Sequence, residues 1–257
     1  MCEQYRKDVL KYQKSDAVTA IWVWAAVMAV IFAAAVLSGY FYYWVNMIIA
    51  VLPVFIPLTI VMKNKSGILS LGIHKRELAA SLRLGLFFGI IAMIIHQGVL
   101  PAIVYGWKLA PIGSLLFELF YYFVIIALIE EIIFRGYIQT RLFGMIKNET
   151  AAVLLAAVLF ALYHLPFQFT NNGIALLSNI AFYTSFIYNI TGHIVFYLIY
   201  RKYNSIWGAV VFHALGDWAG SMFIMDSRVI WIDMAWLGIY IIVSVIFVVK
   251  TFKGKIQ

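Results

Sequence analysis

Long apolar runs alternate with short polar interruptions along the whole chain. A helix needs ~20 apolar residues to cross a hydrocarbon core. On that measure the pattern predicts eight spans: Ala17 to Ser38, Phe41 to Met62, Ala80 to Tyr105, Ile112 to Phe143, Thr150 to Tyr163, Ile174 to Tyr200, Ile206 to Met225 and Ile230 to Val249. The fifth has the shortest clean run, and the sequence Tyr163-His164-Leu165-Pro166 predicts that it stops at Pro166, since a proline breaks the helical hydrogen-bond ladder. The predicted fold class is an all-α, polytopic transmembrane bundle. Residues 1–257 form one membrane domain, because no polar segment is long enough to build a second core.

The basic residues test this count, because cytoplasmic loops collect Lys and Arg. With the N-terminus inside, five segments are cytoplasmic. They hold Arg6, Lys7, Lys11 and Lys14; Lys63, Lys65, Lys75, Arg76 and Arg83; Arg135, Arg141 and Lys147; Arg201 and Lys202; and Lys250, Lys253 and Lys255. Every other Lys or Arg is accounted for by Lys108 and Arg228, so a shifted or missing span would destroy the pattern. Both termini are therefore expected in the cytoplasm.

Composition narrows the class further. The 257 residues are 65% hydrophobic and 12% charged, with a mean hydropathy of +0.95, which excludes an ordinary soluble domain. The formal charge of +8 is spread over five loops rather than one face. It fits orientation against an anionic leaflet, so membrane lipids are expected partners and nucleic acid is not. A signal peptide cut between Phe32 and Gly39 is the alternative for the first span, but its apolar run is too long for a signal core, and retention is expected. Cys2 is the single cysteine, which leaves no intrachain disulfide and no metal-thiolate site; it is expected unmodified rather than lipidated.

No internal repeat is visible. The longest polar connection, Lys63 to Ala79, carries Lys75-Arg76-Glu77 and is expected at the cytoplasmic interface as a topology anchor. Gly85 with Gly89, and Gly216 with Gly220, are small-xxx-small pairs that permit close helix packing. Tyr40, Tyr42, Tyr43, Trp44, Trp107 and Trp231 read as interfacial anchors.

Ionisable side chains inside spans cost ~2.5–3.5 kcal/mol each near a helix centre, so each calls for a partner or a task. They are Glu118, Glu130, Glu131, Arg135, His96, His164, His193, His213 and Asp217. Glu131 and Arg135 are four apart and can pair on one helix face, while Glu130, about 100° away, is free to face elsewhere. His164 follows Phe160 by four, and His213 precedes Asp217 by four. Glu130 and His164 are symmetric about position 147, in the turn between the fourth and fifth spans, so both lie ~20–25 Å from it. The fourth helix would be ~48 Å long if continuous and must tilt or protrude, and His213 lies ~18 Å beyond Arg201. Three helices can thus bring one Glu and two His to a single point, expected to open to the cytoplasmic side. His96 and His193 read as structural or pore residues, Glu118 as an interfacial group, and Asn179 and Asn189 as interhelical hydrogen-bonding residues.

Glu130-Glu131-Ile-Ile-Phe-Arg135, Phe160-Ala-Leu-Tyr-His164 and His213-Ala-Leu-Gly-Asp217 resemble, in order and spacing, the three motifs of the CAAX protease and bacteriocin-processing family. The similarity covers about Ser114 to Ser221, so residues 114–221 are the motif-bearing core. The resemblance implies an intramembrane endopeptidase acting on a lipidated or hydrophobic peptide. By motif position Glu130 is the catalytic base, His164 helps hold or activate water, His213 and Asp217 complete the site, and Glu131 and Arg135 form a supporting pair beside Phe160. A carboxylate against a low-dielectric wall is suited to take a proton from water near neutral pH, and imidazoles can donate to the oxyanion. No metal is required on that reading; alternatively Glu130, His164 and His213 could ligate Zn²⁺, although the usual His-Glu-x-x-His helix is absent. The family position of Asp217 admits Asn, and an amide donates where an ionised carboxylate cannot. Two rivals stand beside this reading: a proton-coupled transporter, which lacks repeat symmetry and broken helices in the sequence, and a catalytically silent membrane regulator. Substrate identity and oligomeric state are not fixed by the sequence.

Overall fold

The computed structural model describes residues 2–37, 43–64, 66–224 and 230–252. Its helices are α1 (Glu3–Leu10), α2 (Lys14–Leu37), α3 (Tyr43–Val51), α4 (Phe55–Lys63), α5 (Leu78–Tyr105), α6 (Ile112–Leu142), α7 (Glu149–Tyr163), α8 (Leu165–Asn172), α9 (Ile180–Tyr203), α10 (Trp207–Ala219) and α11 (Ile230–Thr251). Two-residue strands β1 (Lys108–Leu109) and β2 (Phe223–Ile224) pair antiparallel. The class is all-α. Among the described residues each of the eight apolar runs contains helical structure, and five helical stretches are long and apolar enough to cross a membrane: Lys14–Leu37, Leu78–Tyr105, Ile112–Leu142, Glu149–Thr170 and Trp231–Thr251. The expected anchors Tyr40 and Tyr42, and the charges Arg228, Lys253 and Lys255, lie outside the described residues.

Several boundaries differ from expectation for local reasons. Pro166 does not stop the fifth span. The chain breaks at His164 and resumes as α8 with the proline in its first turn, where a missing N–H costs nothing. The sixth helix begins at Ile180 rather than Ile174, because Asn179 caps it by accepting from the Ala181 N–H at 2.9 Å; Asn179 is thus a cap and not an interhelical contact. The second run is split by the tight turn Leu52–Val54 around Pro53. A π-helical turn, Met93–Gln97, precedes Gly98 in α5. The interrupted helices that the sequence did not reveal are therefore present.

Hydrogen bonds sort the loops to two ends of the bundle. At one end the Cys2 N–H donates to Arg201 O, Asn148 Nδ2 to Phe252 O, Arg141 to Ser70 O and Oγ, and the Ile206 N–H to Gly72 O. Both ends of the described chain meet there with the 63–78, 143–149 and 201–206 connections. At the other end β1 pairs β2, and the Ala110 N–H donates to Met222 O. Tyr5 of α1 is fully buried against Phe143, Tyr197 and Tyr200, so the N-terminal helix seals the first end. Asn204 ends α9 in the left-handed conformation that asparagine tolerates and donates to Asp8 at 2.7 Å.

Small residues set the helix spacing around the site. A Cβ on Gly85 would collide with the Gly208 carbonyl, and one on Gly89 with the Leu215 side chain, so α5 and α10 touch backbone to backbone at Gly85. Gly216 departs from the packing role expected of it: an added Cβ there meets nothing, because it faces a cavity.

Candidate active site

α6 carries the acidic motif on an irregular stretch. One α-helical turn, Leu128–Glu131, lies between two π-helical segments, Tyr121–Ala127 and Ile132–Gln139. Widened turns leave carbonyls in need of donors. Thr140 Oγ1 donates to Gly136 O and Tyr137 O, and Arg141 Nη1 donates to Gly136 O at 2.6 Å. Arg141 is itself buried between the rings of Tyr12 and Tyr137.

The expected Glu131–Arg135 pair forms at 3.0 Å with both side chains fully buried. The guanidinium N–H groups make no aligned hydrogen bond among the described residues. Instead the cation lies over the faces of Phe160, at 4.3 Å, and Phe196, at 4.9 Å, where the ring quadrupoles favour positive charge. Arg135 and Arg141, counted above as cytoplasmic loop charges, are therefore structural cations. The basic bias of that end survives without them.

Glu131 has a second task that spacing did not reveal: its Oε1 stands 3.1 Å from His213 Nδ1. The His213 ring also stacks on Phe196, at 4.8 Å between centroids. Its other nitrogen, Nε2, faces Asp217 Oδ2 at 3.3 Å and Glu130 Oε2 at 3.8 Å. An imidazolium can donate to carboxylates on both sides, whereas a neutral ring donates on one side only. Glu130 is 6% exposed, and its Oε2 has no hydrogen-bond partner among the described residues.

His164 sits at the α7–α8 break. Its Nδ1 donates to Phe160 O at 2.9 Å, satisfying a carbonyl freed at the helix end and turning Nε2 into an acceptor. Phe160 thus serves both motifs, through its ring for Arg135 and its carbonyl for His164. Glu130, His164, His213 and Asp217 all line one cavity of about 660 Å³, within the size range of ligand pockets. The structure brings together every residue of the three motifs.

The cavity lies on one side of Glu130. Its floor is Glu130, Phe160, Phe196, Phe212 and His213, and its walls rise through Tyr121, Gln168, Ser185, Ser221 and Trp236. In each helix these wall residues lie toward the end that carries β1 and β2. Beneath the floor in α6, Ile133, Phe134, Arg135 and Gln139 are all 0% exposed. Toward the basic end the residues that follow the floor in α6 are buried.

Other polar residues fall into place around the cavity. His193 Nε2 meets Gln139 Oε1 at 3.0 Å and is fully buried, in keeping with a structural role. His96 lines the cavity, stacks on Trp236 at 5.3 Å and meets Asp233 Oδ1 at 3.1 Å. Asn189 lines the cavity as well, and Glu118 is half-buried. Asp233 and Gln139 escaped the sequence reading, although an acidic residue inside the last apolar run was the signal for the first. Among the described residues no three His, Cys, Asp or Glu side chains are arranged to hold a metal ion. His213 has both nitrogens turned to carboxylates and His164 has Nδ1 on a carbonyl, so the set Glu130, His164 and His213 does not form a ligand cage.

The helical bundle thus surrounds one cavity lined by a Glu, two His and an Asp. The family model described as type II CAAX prenyl endopeptidase Rce1-like matches residues 111–219. That segment contains all three motifs, and its similarity to this family agrees with the resemblance read from the sequence. A comparison with curated proteins found no match. The family match covers that segment alone, and the apolar helices around it are those of an integral membrane protein.

Proposed function

We propose that the chain is an endopeptidase that hydrolyses a peptide bond in a hydrophobic or lipidated polypeptide at the cavity floor. The observation that carries this reading is Glu130 Oε2, buried without a hydrogen-bond partner among the described residues and 3.8 Å from His213 Nε2. That separation is too long for a direct hydrogen bond and short enough for both groups to share one water. Glu130 takes a proton from this water as its oxygen attacks the carbonyl carbon, and His164 Nε2 helps to align it. His213, held by Glu131 and by the Phe196 ring, donates from Nε2 to the oxyanion. When the carbon–nitrogen bond breaks, Glu130 returns the proton to the leaving amine. Asp217, 3.3 Å from the same Nε2, accepts that N–H before the oxyanion forms. The reaction is written on these groups, and no step passes through a metal.

In this reading the eight apolar runs are eight crossings, with both termini in the cytoplasm. The bias of Lys and Arg toward the end where the termini meet supports that topology.

The test is cleavage of lipidated and hydrophobic peptides by protein reconstituted in liposomes, followed by mass spectrometry. Glu130→Gln keeps the shape and removes the base, and lowers the rate by at least ~100-fold. Equal product from both proteins removes Glu130 from the mechanism.

A further inference from the structure

Two independent observations set the direction from which substrate reaches this site. The first is packing. All cavity walls rise from the floor toward the β1–β2 end, and the layer beneath the floor is fully buried. α10 explains the asymmetry. It starts at the opposite end, where the Ile206 N–H donates to Gly72 O, and its 13 residues end at Ala219. That is ~20 Å of helix against a hydrocarbon core of ~30 Å. The chain leaves helical structure at Gly220 and Ser221, both of which line the cavity, so α10 fills only the sealed part of the bundle.

The second observation is charge. The sealed end carries Arg6, Lys7, Lys11, Lys14, Lys63, Lys75, Arg76, Lys147, Arg201 and Lys202, whereas the β1–β2 end carries Lys108 among the described residues. Short loops rich in Lys and Arg stay in the cytoplasm. The sealed end therefore faces the cytoplasm.

Taken together, and resting on the peptidase reading above, we propose that the cavity opens to the extracytoplasmic side and takes its substrate from there: an apolar or lipid-anchored segment of a polypeptide exposed at the outer leaflet, not a cytosolic carboxy-terminal tail. The cavity chemistry suits such a segment. Tyr121, Tyr188, Trp236 and Tyr240 line the cavity and present aromatic faces for apolar groups.

The experiment uses the full chain and its single native cysteine. Gly216 lines the cavity and an added Cβ there meets nothing, so Gly216→Cys in a Cys2→Ala background places a thiol in the cavity. Ser221→Cys in the same background is the second probe, nearer the rim. Both are exposed to a charged, membrane-impermeant methanethiosulfonate in right-side-out and in inverted vesicles, with the native Cys2 as the marker of the sealed end. The expected result is labelling of both cavity cysteines in right-side-out vesicles and its loss in inverted ones, with Cys2 showing the reverse. Labelling of the cavity cysteines only in inverted vesicles, or in neither orientation, overturns the proposal. Labelling requires no turnover, so a chain that labels from outside yet cuts no peptide refutes the peptidase reading and leaves the orientation standing.

Discussion

Replacing Arg135 with Met tests the ion pair on which the geometry of His213 depends. Arg135 and Glu131 are 3.0 Å apart and wholly buried, and the guanidinium also lies over two rings. Methionine fills much of the volume but leaves the Glu131 carboxylate without its cation. Removing one partner of a buried pair costs ~3–5 kcal/mol, and the lost ring contacts add ~0.5–2 kcal/mol each before methionine repacks against them. We expect a net loss of about 3–5 kcal/mol, at ~1.4 kcal/mol per tenfold change in the folded-to-unfolded ratio. The assay is equilibrium unfolding in mixed micelles of wild type, Arg135→Met and the double variant Glu131→Gln/Arg135→Met. The double variant should be more stable than Arg135→Met alone, because the unpaired carboxylate is gone, and its glutamine oxygen can still accept from His213 Nδ1. A single variant as stable as wild type, or a double variant less stable than the single, refutes the reasoning.

Further expectations concern other parts of the structure. Asp217→Ala removes an acceptor 3.3 Å from His213 Nε2 and should lower kcat/KM by ~3–10-fold, the worth of one hydrogen bond. Asp217→Asn keeps an acceptor oxygen and should restore most of it, and steady-state cleavage kinetics on the two variants decide. Gly85→Ala drives a Cβ into the Gly208 carbonyl, whereas Gly113→Ala meets nothing; thermal unfolding should show a loss of ~1–3 kcal/mol for the first and none resolvable for the second. At Asp8 burial works to raise the carboxyl pKa, but hydrogen bonds from Gln4 and Asn204 and the nearby Lys11 ammonium outweigh it and hold it below the ordinary carboxylate value. The stability this lends α1 is fully present above the unfolded-state pKa and is lost as pH falls through the folded one. Hydrogen exchange of α1 amides should therefore accelerate over that acidic window in wild type and show no such step in Asp8→Asn.

Much of this was legible because membrane spans and motif spacing are local properties. The eight runs, the Glu131–Arg135 pair and the grouping of Glu130, His164, His213 and Asp217 follow from hydropathy and helical periodicity. What escaped was set by tertiary packing. A helical wheel places Glu131 opposite Arg135, but only the approach of α10 shows that it also holds His213. Pro166 looks like a terminator until the break at His164 places it in the first turn of α8. Gly216 has the spacing of a packing glycine and instead opens onto the cavity, because α10 ends just beyond it. The direction of the opening was not legible for the same reason: height along a helix says how deep Glu130 lies, and only the packing below it bears on which end is shut.

The central claim is that Glu130 activates a water for direct attack on the peptide carbonyl. Single-turnover cleavage in water enriched in the heavy oxygen isotope tests it, read by mass spectrometry on both product and enzyme. The account predicts one heavy oxygen in the new carboxylate of the product, none in the peptide containing Glu130, and no product from Glu130→Gln. Heavy oxygen in the Glu130 side chain, or undiminished cleavage by Glu130→Gln, would contradict it.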